Sequence, residues 1–307
     1  MSKFILPVPT VCRPLALVDP HRHKAAYIRV LSMIYHAEVA ALEGFRLMSN
    51  PRVFEPNEIL CRASRILVED EKRHAEELEA LVRRLGGGGI VDPPPHTREF
   101  WSCWRDGKIF SLPFKSSVAS MFCLFSEGLG YAFIALLAQA TSDPEVKQAL
   151  EQNLKEEEPH LRLSVLLLRQ AIEQDSRFFA DFMVYMGGYS LLARKAIREQ
   201  RALAGELGLD FDVMVGGCLR FVYDLIDIVF SETKAPAGWQ LCGKFVDGLQ
   251  HHPSLVRLLH LSMFLPEPPL TRKLLYVWGK LGRLLPPSKR RKQLASSDRL
   301  LAEVFAV

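Results

Sequence analysis

Through the first half of the chain, apolar side chains return every three or four positions in four long stretches. One carries Leu31, Tyr35, Leu42 and Phe45, and a second carries Leu67, Leu78 and Leu81. A third carries Leu124, Tyr131 and Ile134, and a fourth carries Leu150, Leu154, Leu161, Val165 and Leu168. That period lays apolar residues along one stripe of an α-helix and turns the stripe toward a core. It predicts helices over 21–48, 56–85, 115–141 and 144–173. Clusters of Gly and Pro at 85–96, 234–238, 264–270 and 284–288 punctuate the pattern. Further helices are predicted over 176–206, 211–232, 239–250, 253–263, 269–284 and 296–305, and no stretch alternates as a strand would. The fold class read from this is all-α. An irregular, Pro-containing arm covers 1–20 and a four-helix bundle 21–175. An additional helical region, 176–307, packs on the bundle, and the 86–114 connection carries Trp101 and Trp104 across it.

Each of the four stripes also carries an acid. Glu71 and His74 stand three apart in the second stripe, and Glu157 and His160 stand three apart in the fourth. A lone glutamate precedes each pair: Glu38 lies 33 residues before Glu71, and Glu127 lies 30 before Glu157. At 3.6 residues per turn, positions i and i+3 share a helix face, so one Glu and one His can reach the same point. Thirty-odd residues let the chain leave along one helix, turn, and return along a neighbour. Two helices giving one Glu each, and two giving Glu-x-x-His, is the pattern of a carboxylate-bridged metal pair in a helical bundle. Carboxylates can bridge two cations, and one imidazole per metal adds a nitrogen suited to iron. None of the four faces supplies a Lys or Arg, and buried carboxylates need a counter-charge. The bland alternative is surface ion pairing. A single Glu-x-x-His arises about once by chance in a chain this long, but two pairs with matched upstream glutamates on apolar stripes do not arise so easily.

The stretches HAEVAALEGF, EDEKRHAEELEALVRRLGG, HTREFW, SEGLGYAF and KEEEPHLRL resemble the ferritin-like diiron superfamily, which includes rubrerythrins, ribonucleotide reductase small subunits and diiron hydroxylases. Residues 30–170 are most similar to uncharacterised bacterial ferritin-like proteins and to the tRNA hydroxylase of methylthio-isopentenyl adenosine. The resemblance covers about half the chain, and it specifies the metal site better than the reaction. It implies that Glu71 and Glu157 bridge two irons, that Glu38 and Glu127 are terminal ligands, and that His74 and His160 bind one iron each. It also implies that Asp70 orients His160 and that Glu156 orients His74, as acids beside ligand histidines often do. Solvent-facing acids are the alternative for both. Pro159 departs from the pattern. A helix-interior proline lacks a donor and clashes with the carbonyl four residues back, at Lys155, so a kink or bulge is expected that could displace His160.

Composition changes the picture little. Hydrophobic residues make up 49% and charged residues 24%, as in an ordinary globular protein of one large or two modest domains. Cys12, Cys61, Cys103, Cys123, Cys218 and Cys242 form no C-x-x-C, which argues against a rubredoxin-like centre, a zinc ribbon or a disulfide framework and points to the cytoplasm. The N-terminus lacks the apolar core of a signal peptide. Residues 121–140 are apolar enough for a membrane span, but Glu127 and two glycines favour a bundle-core helix. The +4 net charge is uneven: Arg272, Lys273, Lys280, Arg283, Lys289, Arg290, Arg291 and Lys292 fall together with no acid between them. This segment reads as a solvated face, or as a surface for an acidic carrier protein, a membrane or RNA.

The expected function is therefore a non-haem diiron oxidoreductase that activates dioxygen, with hydroxylation or oxidation of an organic substrate preferred because of the large second half. The cofactor is two Fe ions, with Mn/Fe the alternative, and an external electron donor is required. Gly128 and Gly130 are expected to leave room for oxygen or substrate, and Tyr35 or Tyr131 to be redox-active or simply packed. A rubrerythrin-like ferroxidase or peroxidase and a non-catalytic helical scaffold are the other readings, and assembly as a homodimer stays open.

Overall fold

A computed structural model describes residues 5–50, 58–109, 112–114, 116–174, 178–233, 235 and 238–262. The protein is predominantly helical. The helices are α1 (Lys24–Met48), α2 (Glu58–Arg84), α3 (Pro95–Arg105), α4 (Ser116–Ala140), α5 (Pro144–Gln174), α6 (Phe178–Glu206), α7 (Phe211–Glu232), α8 (Trp239–His251) and α9 (Pro253–Ser262). The helices expected over 269–284 and 296–305, and the basic segment within them, lie outside the described residues.

Two long hairpins organise the first half. Near the start of α1, Lys24 meets Gly86 just past the end of α2; at the other end Cys61 of α2 donates to the Met48 carbonyl. The two helices are therefore antiparallel. Helix α2 stops at Gly86, which adopts φ 75°. The Gly86 and Gly87 amides donate back to the carbonyls of Arg83 and Val82, closing a left-handed cap that glycine enters without steric cost. Helices α4 and α5 pack together across a short turn. Asp143 caps α5 through the Glu145 and Val146 amides at 2.9 Å, and Pro144 occupies the first turn, where no donor is needed.

The sequence pattern misses two elements in the connection between hairpins. Residues 95–105 form α3, and Lys108–Ile109 (β1) pairs antiparallel with Leu112–Pro113 (β2). Helix α3 escapes a periodicity reading because its few buried positions, Thr97, Cys103 and Trp104, include no aliphatic residue. Two tertiary contacts hold it. Gly44 of α1 admits it, since a Cβ there would sit 3.2 Å from the Trp104 ring. Glu199 of α6 accepts from the Thr97 amide and hydroxyl at 2.8 Å, which satisfies otherwise orphaned donors in the first turn of α3.

Helices α6 and α7 complete the core. Phe221, Val222 and Leu225 of α7 are buried in the same cluster as Leu124 and Leu136 of α4 and Leu161 of α5. The N-terminal arm straps this assembly: Val18 bridges Thr141, and the Thr10 carbonyl accepts from Gln250. Helix α4 includes the apolar 119–140 stretch, long enough to cross a membrane, but 59% of its most apolar window is buried within the protein.

Tyr27 ties the start of α1 to this junction. Its phenol is fully buried and 2.5 Å from the Thr141 hydroxyl, and burial pushes its pKa up to about 12. Thr141 also donates to the Leu137 carbonyl. Tyr27→Phe should therefore cost about 1 kcal/mol, one net hydrogen bond, in a chemical denaturation midpoint. A variant as stable as the parent would show that the bond contributes nothing net.

Candidate metal centre

Four helices bring six side chains to one place. Glu38 comes from α1, Glu71 and His74 from α2, Glu127 from α4, and Glu157 and His160 from α5. They form two overlapping groups whose ligand atoms all lie within 4.8 Å of one another. One is Glu38, Glu71, His74 and Glu157; the other is Glu71, Glu127, Glu157 and His160. Glu71 and Glu157 belong to both. Either group could hold a metal ion.

The cluster is largely withdrawn from solvent. Glu71, His74 and His160 are 0% exposed, and Glu38, Glu127 and Glu157 are nearly so. Its atoms crowd without satisfying one another. His74 Nδ1 lies 2.7 Å from Glu157 Oε1, yet neither ring nitrogen of His74 makes an aligned hydrogen bond. Both carboxylate oxygens of Glu71 and Nδ1 of His160 are likewise without hydrogen bonds. Buried polar atoms rarely stay unpartnered. Carboxylate oxygens and imidazole nitrogens converging on shared points, rather than on each other's protons, are what divalent cations require.

The electrostatics agree. Burial, reinforced by Glu38, Glu157 and Glu127, pushes the Glu71 carboxyl well above the usual range. Burial likewise raises Glu38, and it raises Glu127 to about 8. Burial works against charge on Glu157 too, but the two facing histidines outweigh it and hold that carboxyl low. Burial would lower both histidines, but contact with Glu157 and the charge of Glu38 lift His74 to about 9, and the charge of Glu157 with contacts to Asp70 and Glu71 raises His160 well above its usual value. Without metal, protons must supply the missing positive charge.

Behind the histidines stands an ionic lattice. His160 Nε2 is 3.3 Å from Asp70 Oδ2, and His74 Nε2 is 3.4 Å from Glu156 Oε2, the second contact without hydrogen-bond alignment. Arg73 links the two acids, donating to Glu156 at 3.0 Å and to Asp70 at 2.9 Å. Sequence reasoning passed over Arg73, although its position, two after Glu71 and three after Asp70, could have suggested it. Pro159 does not disrupt the arrangement. Helix α5 runs α-helical through it, and His160 Nδ1 stays 2.9 Å from Glu157, correcting the expected bulge. Lys155, whose carbonyl loses its partner, is exposed, so water can replace the missing donor.

On the opposite face, a cavity of about 420 Å³ reaches Glu38, Glu127 and Glu157 but neither histidine. Its walls include Trp101 and Trp104 of α3, Phe125 and Tyr131 of α4, Tyr189 and Ala193 of α6, and Met214 and Leu219 of α7. The two glycines separate here. Gly130 lines the cavity with nothing near its missing Cβ, whereas Gly128 packs on Val222 and Leu225 of α7, where a Cβ would come within 3.1 Å. Gly128 serves helix packing and leaves no room for a ligand. The tyrosines separate as well: Tyr131 faces the cavity stacked on Phe221, while Tyr35 packs edge-on against His36 and is not among the lining residues. Tyr189, in the second half, was not anticipated.

No protein-family model and no curated protein matches this chain.

The raised groups set a pH dependence for the metal-free protein. For Glu127, moved from 4.5 to about 8, relative stability is full below pH 4.5 and lost as pH rises through about 8. For His74, moved from 6.5 to about 9, it is lost between those values. Chelated protein should therefore melt at a lower temperature at pH 9 than at pH 6.5, and Glu127→Gln should recover part of the difference. Metal should flatten the profile and raise the melting temperature by several degrees, since it binds only the folded cluster. Identical melting curves with and without metal would count against a buried ion site.

Proposed function

We propose that this chain is a ferritin-like, non-haem diiron oxidoreductase that activates dioxygen to oxidise an organic substrate. The observation that carries the reading is the pair of overlapping Glu/His groups sharing Glu71 and Glu157, with orphaned buried nitrogens and oxygens directed into them. In this reading Glu71 and Glu157 bridge, Glu38 and Glu127 are terminal, and His74 and His160 each hold one ion. The mixed carboxylate and imidazole set suits iron, and Mn/Fe would use the same ligands. A bound iron pair supplies the redox chemistry.

The chain's own residues do the rest. Asp70 holds the His160 imidazole, Glu156 lies beside that of His74, and both acids, through Arg73, brace α2 against α5. The apolar walls exclude water from the carboxylate face, which limits unproductive side reactions. Hydroxylation balances as substrate C–H plus dioxygen, two electrons and two protons giving C–OH and water, so an external electron donor is required. The cavity favours an organic substrate over a rubrerythrin-like peroxidase or ferroxidase role, because peroxide and iron need no aromatic chamber. Six unpaired cysteines suit a reducing compartment, the cytoplasm on this reading.

Purified protein should contain about two irons per chain and show the absorption and Mössbauer signature of a bridged pair. Glu71→Ala and His74→Ala should each lose most of that iron, and the chemically reduced parent should consume dioxygen while the variants do not. Full iron retention in both variants would falsify the ligand assignment.

A further inference from the structure

The cavity also carries information about what it accepts. Its inner end is formed by Glu38, Glu127 and Glu157, and no Lys, Arg or His is among its lining residues. A carboxylate or phosphate carried inside would be stripped of water, left unpaired, and set against three acids. A cation would gain little either, because the ligand oxygens of those three acids lie within 4.8 Å of their partners in the cluster and converge there rather than on the chamber. The uncharged polar groups in the lining are few, Gln200, Ser126 and the Tyr131 hydroxyl among them, and the rest is overwhelmingly aliphatic and aromatic. The 420 Å³ volume falls within the usual range for enclosed organic ligands and corresponds to roughly fifteen to twenty heavy atoms.

We propose that this cavity binds an uncharged, largely apolar organic molecule, lying with one end against the Glu38–Glu127–Glu157 face and selected by α6 and α7. Its role as the oxidised substrate rests on the diiron reading; its binding does not. Gly130 leaves the α4 wall open, and Ala193 on α6 keeps that wall low, so a large side chain at either place would occupy the ligand's volume. The selecting helices belong to the half of the chain that contributes none of the six clustered residues.

The test is calorimetric titration with four decyl compounds, kept below their micelle concentrations: decanol, decanoate, decyl phosphate and decyltrimethylammonium. It is run on the protein as purified and again after chelation. Decanol should bind at one site per chain, and the charged homologues about tenfold or more weakly to the protein as purified. Gly130→Phe and Ala193→Phe should each weaken decanol by about tenfold or more, with iron content and far-ultraviolet circular dichroism unchanged. Any charged homologue that binds the purified protein as tightly as decanol overturns the uncharged class, and decanol affinity unchanged in a folded cavity variant overturns the location. Protein that holds no iron yet binds decanol with this selectivity keeps the cavity and removes the metal reading. Two irons per chain with no decanol binding does the reverse.

Discussion

Four carboxylates and two imidazoles buried in the middle of a helical core are the constraint on which the rest of this structure depends. Each anion taken out of water costs several kcal/mol unless it is paired. Among the described residues no lysine or arginine pairs with the cluster; Arg73 spends its donors on Asp70 and Glu156 behind the histidines. The core therefore remains intact only if cations or protons enter it. The raised carboxyls of Glu38, Glu71 and Glu127 record that demand. So does the failure of tightly packed polar atoms to hydrogen-bond to each other.

The cluster has two unlike sides. Toward α2 and α5 it is backed by a lattice of charge, in which Asp70 contacts His160, Glu156 lies beside His74 and Arg73 links the two acids. Toward α1 and α4 it meets an aromatic chamber with no cation in its lining. The division follows from the ligand pattern. The helices that give Glu and His three apart must turn their next polar residues outward behind the imidazoles. The helices that give a single Glu are free to be apolar on either side of it.

The second half of the chain supplies no clustered residue, yet it encloses the site. Helix α7 packs against α4, where the absence of a side chain at Gly128 lets Val222 and Leu225 approach. Helix α6 holds α3 through Glu199, and α3 brings Trp101 and Trp104 to the chamber. Small residues at a few crossing points, Gly44 and Gly128 above all, permit the close contacts that close the walls.

Helical period and the three-residue Glu/His spacing are local properties, so the sequence by itself determined the long helices to within a few residues and which six side chains share inward faces. What lies opposite a face is a different matter, because periodicity marks a buried stripe without naming its neighbour. Only the tertiary structure distinguished Gly130 from Gly128 and Tyr131 from Tyr35, since each pair is alike in sequence and differs only in what α6 and α7 place against it. Only the fold could form α3, whose first turn depends on a carboxylate about a hundred residues away. Arg73 gained its role in the same way, because Glu156 comes to it from another helix. The cavity too was beyond sequence reading. It is a space between six helices, and a void has no residue of its own to announce it.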